Sequence, residues 1–151
     1  MIITKVVLHN WQGYHGTVEF SFDGTSGRSS AFIYADNTVG KTAFWEAFQF
    51  VLFGSVERRN MTKVYKPIIA EDSGDYPLLN TDEFGKVGSN FFVEILFTHD
   101  GSNYRLYRGY IPRFENRPIK LTNDLVQDIS LENLSERGNN RHITNEDRWI
   151  K

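Results

Sequence analysis

Gly40, Lys41 and Thr42 are the residues of this sequence whose types and order most directly predict chemistry. They match the end of the pattern G-x-x-x-x-G-K-[ST], with Ala35 at the position of the first glycine. In such a loop, backbone N–H groups surround phosphate groups at the start of a helix, a lysine neutralises their charge, and a hydroxyl binds Mg²⁺. The pattern therefore predicts a triphosphate site, with Lys41 and Thr42 as catalytic residues and Thr42 as the Mg²⁺ ligand. The predicted binding residues are Ala35, Asp36, Asn37, Thr38, Val39, Gly40, Lys41 and Thr42.

The neighbouring residues predict the elements that such a loop requires. Residues 30–34 read as a short buried strand and residues 41–53 as a helix, because apolar residues recur there at helical spacing. Apolar side chains fall on nearly all faces of this helix, which predicts that it is buried all round. Gly54 is expected to end it in the left-handed conformation. The alternative is that Gly-Lys-Thr is a chance tripeptide at a turn.

The length and composition of the sequence exclude several classes of protein. The 151 residues predict one domain, and the net charge of −2 excludes a wholly basic nucleic-acid-binding module. The absence of cysteine excludes disulfides and thiolate metal sites, and the four histidines are scattered without metal-binding spacing. With neither a signal-peptide layout nor a membrane-spanning apolar run, the chain is expected to be cytoplasmic, with no membrane partner.

The pattern of the rest of the chain predicts mainly strands. Residues 2–8 and 17–22 have strand patterns, and residues 90–98 and 103–110 predict a hairpin around Asp100-Gly101. Residues 55–89 are rich in charge, proline and glycine, which predicts an irregular insertion. Further strands are expected between residues 119 and 131, and a helix is expected to begin near residue 145.

These residues together resemble the N-terminal half-head of the SMC-like ATPases, the group that includes the structural-maintenance-of-chromosomes proteins, RecF and RecN. The resemblance covers most of residues 1–110 and lies in the opening strand with Asn10-Trp11, in the run from Ala35 to Gly54, and in the hairpin with Tyr104-Arg105-Leu106 and Arg108. Within the group, the sequence looks most similar to DndD of the phosphorothioation systems and to the SMC-like subunit of Lamassu-type defence systems.

The resemblance implies an α/β P-loop NTPase fold of the ABC/SMC type, with a mixed sheet and an antiparallel β lobe around a buried P-loop helix. It also implies ATP and Mg²⁺ as cofactors. The implied partners are a C-terminal half-head returning from a coiled coil, a second copy joined through ATP, DNA, and nuclease or effector subunits. ATP hydrolysis is expected only in the completed head, acting in bacterial DNA repair or in anti-phage and anti-plasmid defence. The chain is expected to be the N-terminal lobe of a longer protein, because a signature motif, an Asp-Glu strand end and heptads are all missing.

Several other residues are candidates for contact with the nucleotide or with DNA, and each has an alternative explanation. Gln12 stands where the family often carries an arginine near the nucleotide, and Gln127 is a weak candidate for the family's Q-loop glutamine. Trp11 and Tyr14 are predicted either to stack on a base or to lie in the core. The possible DNA contacts, which ordinary solvated charge would explain equally well or better, are Arg58, Arg59, Lys63, Lys66 and Arg105.

Three functions of different classes remain open from the sequence. The first is the ATPase head of an SMC-like DNA-binding motor. The second is a nucleotide-gated binding module with little hydrolysis, which the reduced glycine content of the loop, with Ala35 at the first glycine position, favours. The third is a small self-contained P-loop kinase or GTPase, and the predicted antiparallel hairpin argues against it because such enzymes alternate strands and helices.

Overall fold

A computed structural model describes residues 1–22, 33–34, 36, 40–56, 77–120, 124–135 and 140–142. The elements in chain order are β1 (Ile2–Trp11), β2 (Tyr14–Ser21), α1 (Lys41–Phe53), a 3-10 turn (Thr81–Glu83), β3 (Phe91–His99), β4 (Ser102–Pro112), β5 (Leu125–Asn133) and β6 (Asn140–His142). The strands form one six-stranded sheet in the order β2-β1-β3-β4-β5-β6. All five neighbouring pairs are antiparallel.

The β3–β4 hairpin confirms the prediction made from Asp-Gly. His99 pairs with Ser102, so Asp100 and Gly101 alone form the turn. Their φ angles are 48° and 75°, the positive values that a two-residue turn of matching twist requires at both positions. Asp is tolerated and Gly is favoured in that conformation, which is why this dipeptide is a strong hairpin signal.

Helix α1 packs against one face of the sheet, and its bounds confirm the sequence prediction. On the helix, Ala47, Phe50 and Val51 are fully buried, and they belong to the same core cluster as Leu8 and Ile95 of the sheet. Gly54 ends the helix with φ 78°, and its N–H donates to the Phe50 carbonyl at 2.7 Å. The left-handed C-terminal glycine is therefore confirmed.

The prediction that α1 is buried on nearly all faces is wrong. Trp45, Leu52 and Phe53 are 64%, 37% and 66% exposed. The sheet covers only one side of the helix, so the apolar residues on its other side face solvent. Apolar periodicity shows which residues avoid water, but it does not show how many layers of structure are present to cover them.

The prediction of a buried strand before the phosphate loop is also wrong at residues 33–34, the part of it that the structure describes. Ile33 and Tyr34 lie outside any strand, and they are 45% and 96% exposed. Residues 30–32 lie outside the described residues. The mixed sheet predicted with this strand is likewise not found in the described part of the chain, where every strand pair is antiparallel. A strand needs a neighbour for its backbone hydrogen bonds, and none of the six strands pairs with residues 33–34.

The last part of the predicted insertion, residues 77–89, is irregular in backbone but contributes residues to the core. Leu78 and Leu79 are 2% and 1% exposed, and Leu79 forms an isolated bridge with Trp11. Residues 57–76 and the helix expected near residue 145 lie outside the described residues. Within the described ranges, no helix has the length and apolar character needed to cross a bilayer.

Candidate nucleotide-binding site

Gly40 is the residue that joins the predicted phosphate loop to α1. Its φ of 92° places it in the left-handed region, and its carbonyl accepts a hydrogen bond from the Phe44 N–H at 2.8 Å. A residue with a side chain is strained at this φ, so glycine meets a backbone requirement here. The glycine of the Gly-Lys-Thr motif therefore stands at the helix start, as the motif requires.

Lys41 and Thr42 form the first turn of α1, and both are exposed. The Lys41 ammonium Nζ donates to the Asp36 carbonyl at 3.1 Å, so the side chain points back towards Asp36. The structure thus brings together Asp36, Gly40, Lys41 and Thr42. The other predicted binding residues, at positions 35 and 37–39, lie outside the described residues.

The electrostatics of this helix end fit an anion. In the described structure, no side chain caps the N-terminus of α1, and its first turn contains no acidic residue. A helix N-terminus carries about half a positive charge on its first N–H groups, and Lys41 adds a full one. With the Thr42 hydroxyl in the same turn, the residues present fit a phosphate group and a hard cation such as Mg²⁺.

The turn between β1 and β2, residues 11–14, contacts the first half of α1; we refer to it as the hairpin tip. Trp11 Nε1 donates to the Ala43 carbonyl at 2.8 Å. Gln12 Nε2 donates to the Glu46 carboxylate at 2.7 Å. The Tyr14 hydroxyl donates to the Gly40 carbonyl at 3.1 Å. The three acceptors lie on residues 40, 43 and 46, so the hairpin tip follows the helix for almost two turns from its start.

The hairpin tip is itself held by residues 78–80. The Gln12 N–H donates to the Leu78 carbonyl at 2.8 Å, and the Asn80 N–H donates to the Asn10 carbonyl at 2.8 Å. Asn80 Nδ2 also donates to the Gln12 carbonyl at 2.5 Å. Asn10 and Gln12 both have φ 46°, an unfavourable conformation for residues with side chains, and these hydrogen bonds stabilise it. The sequence analysis missed Asn80, and the only signal for it was a polar residue directly after two leucines.

The structure decides between the alternatives for the aromatic residues of the hairpin tip. Trp11 is 0% exposed and packs on Phe50 with ring centroids 4.9 Å apart, so it is a core residue. Tyr14 is half-buried beside Gly40 and meets Phe20 edge to face. Gln12, at the position where the family often has an arginine, is bound to the carboxylate of Glu46.

Arg105 and Arg108 are three residues apart on β4, a spacing that places them on opposite faces of the sheet, and Arg108 lies on the helix side, where its Nε donates to the Val51 carbonyl at 3.1 Å. Arg105 forms ion pairs with Glu94 at 2.6 Å and Glu132 at 3.2 Å, which link β3, β4 and β5. Burial opposes its charge, but these two carboxylates outweigh that effect and raise the pKa of Arg105 above its ordinary value. Contact of Arg105 with DNA stays a prediction, and its guanidinium already has two anionic partners.

Gln127 lies at the opposite end of α1 from the phosphate loop. It is on β5, and its side-chain nitrogen lies 3.7 Å from the position that a Cβ on Gly54 would take. The thirteen residues of α1 separate its two ends by about 20 Å at ~1.5 Å per residue. Gln127 is therefore not part of the candidate site. The basic residues Arg58, Arg59, Lys63 and Lys66 lie outside the described residues.

Comparison with known proteins agrees with this geometry. The family model described as AAA domain matches residues 5–150, nearly the whole chain. No curated protein matches the sequence. An AAA-type domain indicates nucleotide binding and ATPase activity in general, in agreement with the Gly-Lys-Thr motif at the start of α1. On the extent of that match, the chain belongs to the AAA domain family.

Proposed function

We propose that this chain is the ATP-binding N-terminal half of an SMC-like ATPase head. The observation that carries the proposal is Gly40-Lys41-Thr42 at the start of α1, where the first turn contains a lysine and no described side chain caps the helix, in a chain of the AAA domain family. Lys41 would bind the β- and γ-phosphates, and Thr42 would bind Mg²⁺. Bound Mg²⁺ supplies neutralisation of the charge that develops when the terminal phosphoryl group is transferred.

The exposed side of α1 supports the view that this half is completed by another lobe. Trp45, Leu52 and Phe53 lie on the side of the helix that the sheet does not cover, and each is more than a third exposed. Burying a large apolar side chain is worth about 1.5–3 kcal/mol. We propose that the C-terminal half-head, which the resemblance implies, covers this side and supplies the residues that activate water. The resemblance is the basis for two further parts of the proposal, which are dimerisation through ATP and action on DNA in repair or in DndD- or Lamassu-type defence. A cytoplasmic location, expected from the sequence pattern, completes it.

The contact of Gln12 favours a second candidate function. An arginine at this position would add positive charge near the phosphates, whereas Gln12 is neutral and donates to Glu46. Fewer charged contacts to the triphosphate fit a nucleotide-gated binding module in which ATP joins two copies and is hydrolysed slowly. Measuring ATP-dependent association and phosphate release on the same sample separates the two functions, because the binding module associates without turnover.

Calorimetric titration of the chain with Mg-ATP tests the proposed site. Lys41→Ala is expected to weaken binding by tenfold or more, because it removes a charge-assisted contact worth about 1.5–3 kcal/mol. The matched control is Lys120→Ala, which removes an exposed lysine outside the site. Equal affinities of the wild type and Lys41→Ala would refute the phosphate-loop assignment. Adding the separately produced C-terminal half-head is expected to tighten binding further.

A further inference from the structure

The Gly40 carbonyl accepts two hydrogen bonds. One comes from the Phe44 N–H at 2.8 Å, within the helix, and the other comes from the Tyr14 hydroxyl at 3.1 Å, from the hairpin tip. A carbonyl oxygen has two lone pairs, so these two donors fill its capacity. They approach from different elements, and they therefore fix the orientation of the Gly40 carbonyl.

The orientation of this carbonyl determines where the next N–H points. The peptide unit between Gly40 and Lys41 is planar and trans, so the Lys41 N–H points opposite to the Gly40 C=O. In a helix the carbonyls point towards the C-terminus, so the Lys41 N–H points out of the N-terminus, where an anion binds. Fixing the carbonyl therefore aims the N–H at the phosphate position.

The ring of Tyr14 adds a steric restraint on the same residue. A Cβ on Gly40 would lie 2.9 Å from Tyr14 Oη and 3.0 Å from Tyr14 Cζ, closer than side-chain carbons are found. The ring therefore packs closely against Gly40. It also contacts the ring of Phe20 edge to face. Burial raises the pKa of the Tyr14 hydroxyl above its ordinary value of 10, so the hydroxyl keeps its proton and remains a donor.

We infer that Tyr14 is a positioning residue for the phosphate loop, acting through the Gly40 carbonyl on the direction of the Lys41 N–H. Tyr14 acts through Gly40 and is not a catalytic residue. For its consequence on nucleotide affinity the inference rests on the proposed function, but its effect on the first turn of α1 is independent of any nucleotide.

The variant Tyr14→Phe tests the inference, because it removes the hydroxyl and keeps the ring. Hydrogen exchange measured by NMR is expected to be about three- to tenfold faster at the Phe44 amide, the range for loss of one neutral hydrogen bond. The Gly54 amide, which bonds to the Phe50 carbonyl at the other end of α1, is the internal control and is expected to be unchanged. A general loss of stability would accelerate both amides. Equal exchange at Phe44 in the variant and the wild type would overturn the inference.

The affinity for phosphate ligands provides a second test of the inference. Tyr14→Phe is expected to weaken binding of Mg-ATP and of Mg-tripolyphosphate by the same factor, about three- to tenfold, because only the phosphate contacts are affected. Tyr104→Phe removes a hydroxyl from a tyrosine that stacks on Phe97 of the same sheet, and it is expected to leave both affinities unchanged. Unchanged affinities in Tyr14→Phe would overturn the role in phosphate binding. Failure of the wild type to bind Mg-ATP would instead refute the proposed function, and the exchange experiment would still decide whether Tyr14 orders the first turn.

A double-mutant cycle tests whether the ring of Tyr14 restrains Gly40 by steric contact. Gly40→Ala is expected to weaken phosphate binding through both backbone strain and the clash with Tyr14. In a Tyr14→Ala background the clash is absent, so Gly40→Ala is expected to cause a smaller loss. Additive losses would show that the ring does not set the position of Gly40.

Discussion

Replacing the buried carboxylate of Glu83 is expected to lower the stability of the fold in a pH-dependent way. Its side chain is 11% exposed and contacts Lys86 Nζ at 2.8 Å, Ser89 Oγ at 2.6 Å and His15 Nε2 at 3.1 Å. The hydrogen bonds from Lys86, Ser89 and His15 outweigh the opposing effect of burial and lower the pKa of Glu83 from 4.5 to about 2. This carboxylate joins β2 to the segment that holds the hairpin tip.

The pKa depression sets the direction and size of the stability change. One pKa unit is worth about 1.4 kcal/mol, so the lowering from 4.5 to about 2 gives an upper limit of about 3.5 kcal/mol. Lys86 and His15 are 54% and 57% exposed, and solvent screening reduces the expected contribution to about 1–2 kcal/mol. Because the folded pKa is lowered, this stabilisation is complete above about pH 4.5 and is lost as the pH falls towards 2.

Urea unfolding of the wild type and of Glu83→Gln between pH 2 and pH 7 measures this contribution. At pH 7 the variant is expected to be about 1–2 kcal/mol less stable, and the difference should shrink below pH 4.5. Asp82→Asn, which changes the adjacent exposed carboxylate in the same 3-10 turn, is the control and is expected to lie within about 0.5 kcal/mol of the wild type. A difference for Glu83→Gln that is independent of pH would refute the reasoning, because it would mean that packing rather than charge carries the effect.

Two further substitutions test contacts at the two ends of α1. Gly54→Ala is expected to destabilise the fold by about 1–2 kcal/mol in urea unfolding, because φ is 78° and the new Cβ would lie 2.7 Å from Arg108 Nη1. Gly88→Ala has nearly the same φ of 77° with open space around it, so the excess loss at Gly54 measures the Arg108 contact, and equal losses would exclude it. Trp11→Phe is expected to lose about 2–3 kcal/mol in the same assay, through a smaller core side chain and the lost bond to Ala43. A loss below about 0.5 kcal/mol would contradict the core role of Trp11.

The parts of the fold that the sequence predicted correctly are those encoded by neighbouring residues. The bounds of α1 follow from apolar spacing and from Gly54, and the β3–β4 hairpin follows from Asp100-Gly101. These signals act over a few residues, so one sequence is enough to recognise them. The Gly-Lys-Thr motif is equally local, and the structure places it at the start of the helix, as predicted.

The parts that the sequence did not predict depend on contacts between distant residues. Asn80 bonds to Gln12 across 68 positions, and nothing in the local pattern around either residue identifies the partner. The exposure of Trp45 and Phe53 is a similar case, because helical spacing is the same whether one or two layers cover a helix. The predicted strand at residues 30–34 failed at residues 33–34 for the related reason that strand propensity cannot supply a pairing neighbour.

The hairpin tip adds directional restraints to the start of α1. The buried apolar residues of α1 run from Ala43 and Phe44 to Phe50 and Val51, whereas Lys41 and Thr42 at its start are exposed. Apolar burial sets which side of the helix faces the sheet, but it does not specify the direction of any single contact. Hydrogen bonds are directional, and the three from the hairpin tip act on residues 40–46, the part of the helix that contains Gly40 and the buried Ala43 and Phe44. The start of α1, with Gly40 at its N-terminus, is therefore restrained from the antiparallel sheet as well as from within the helix, and residues 78–80 support it although they lie outside the motif.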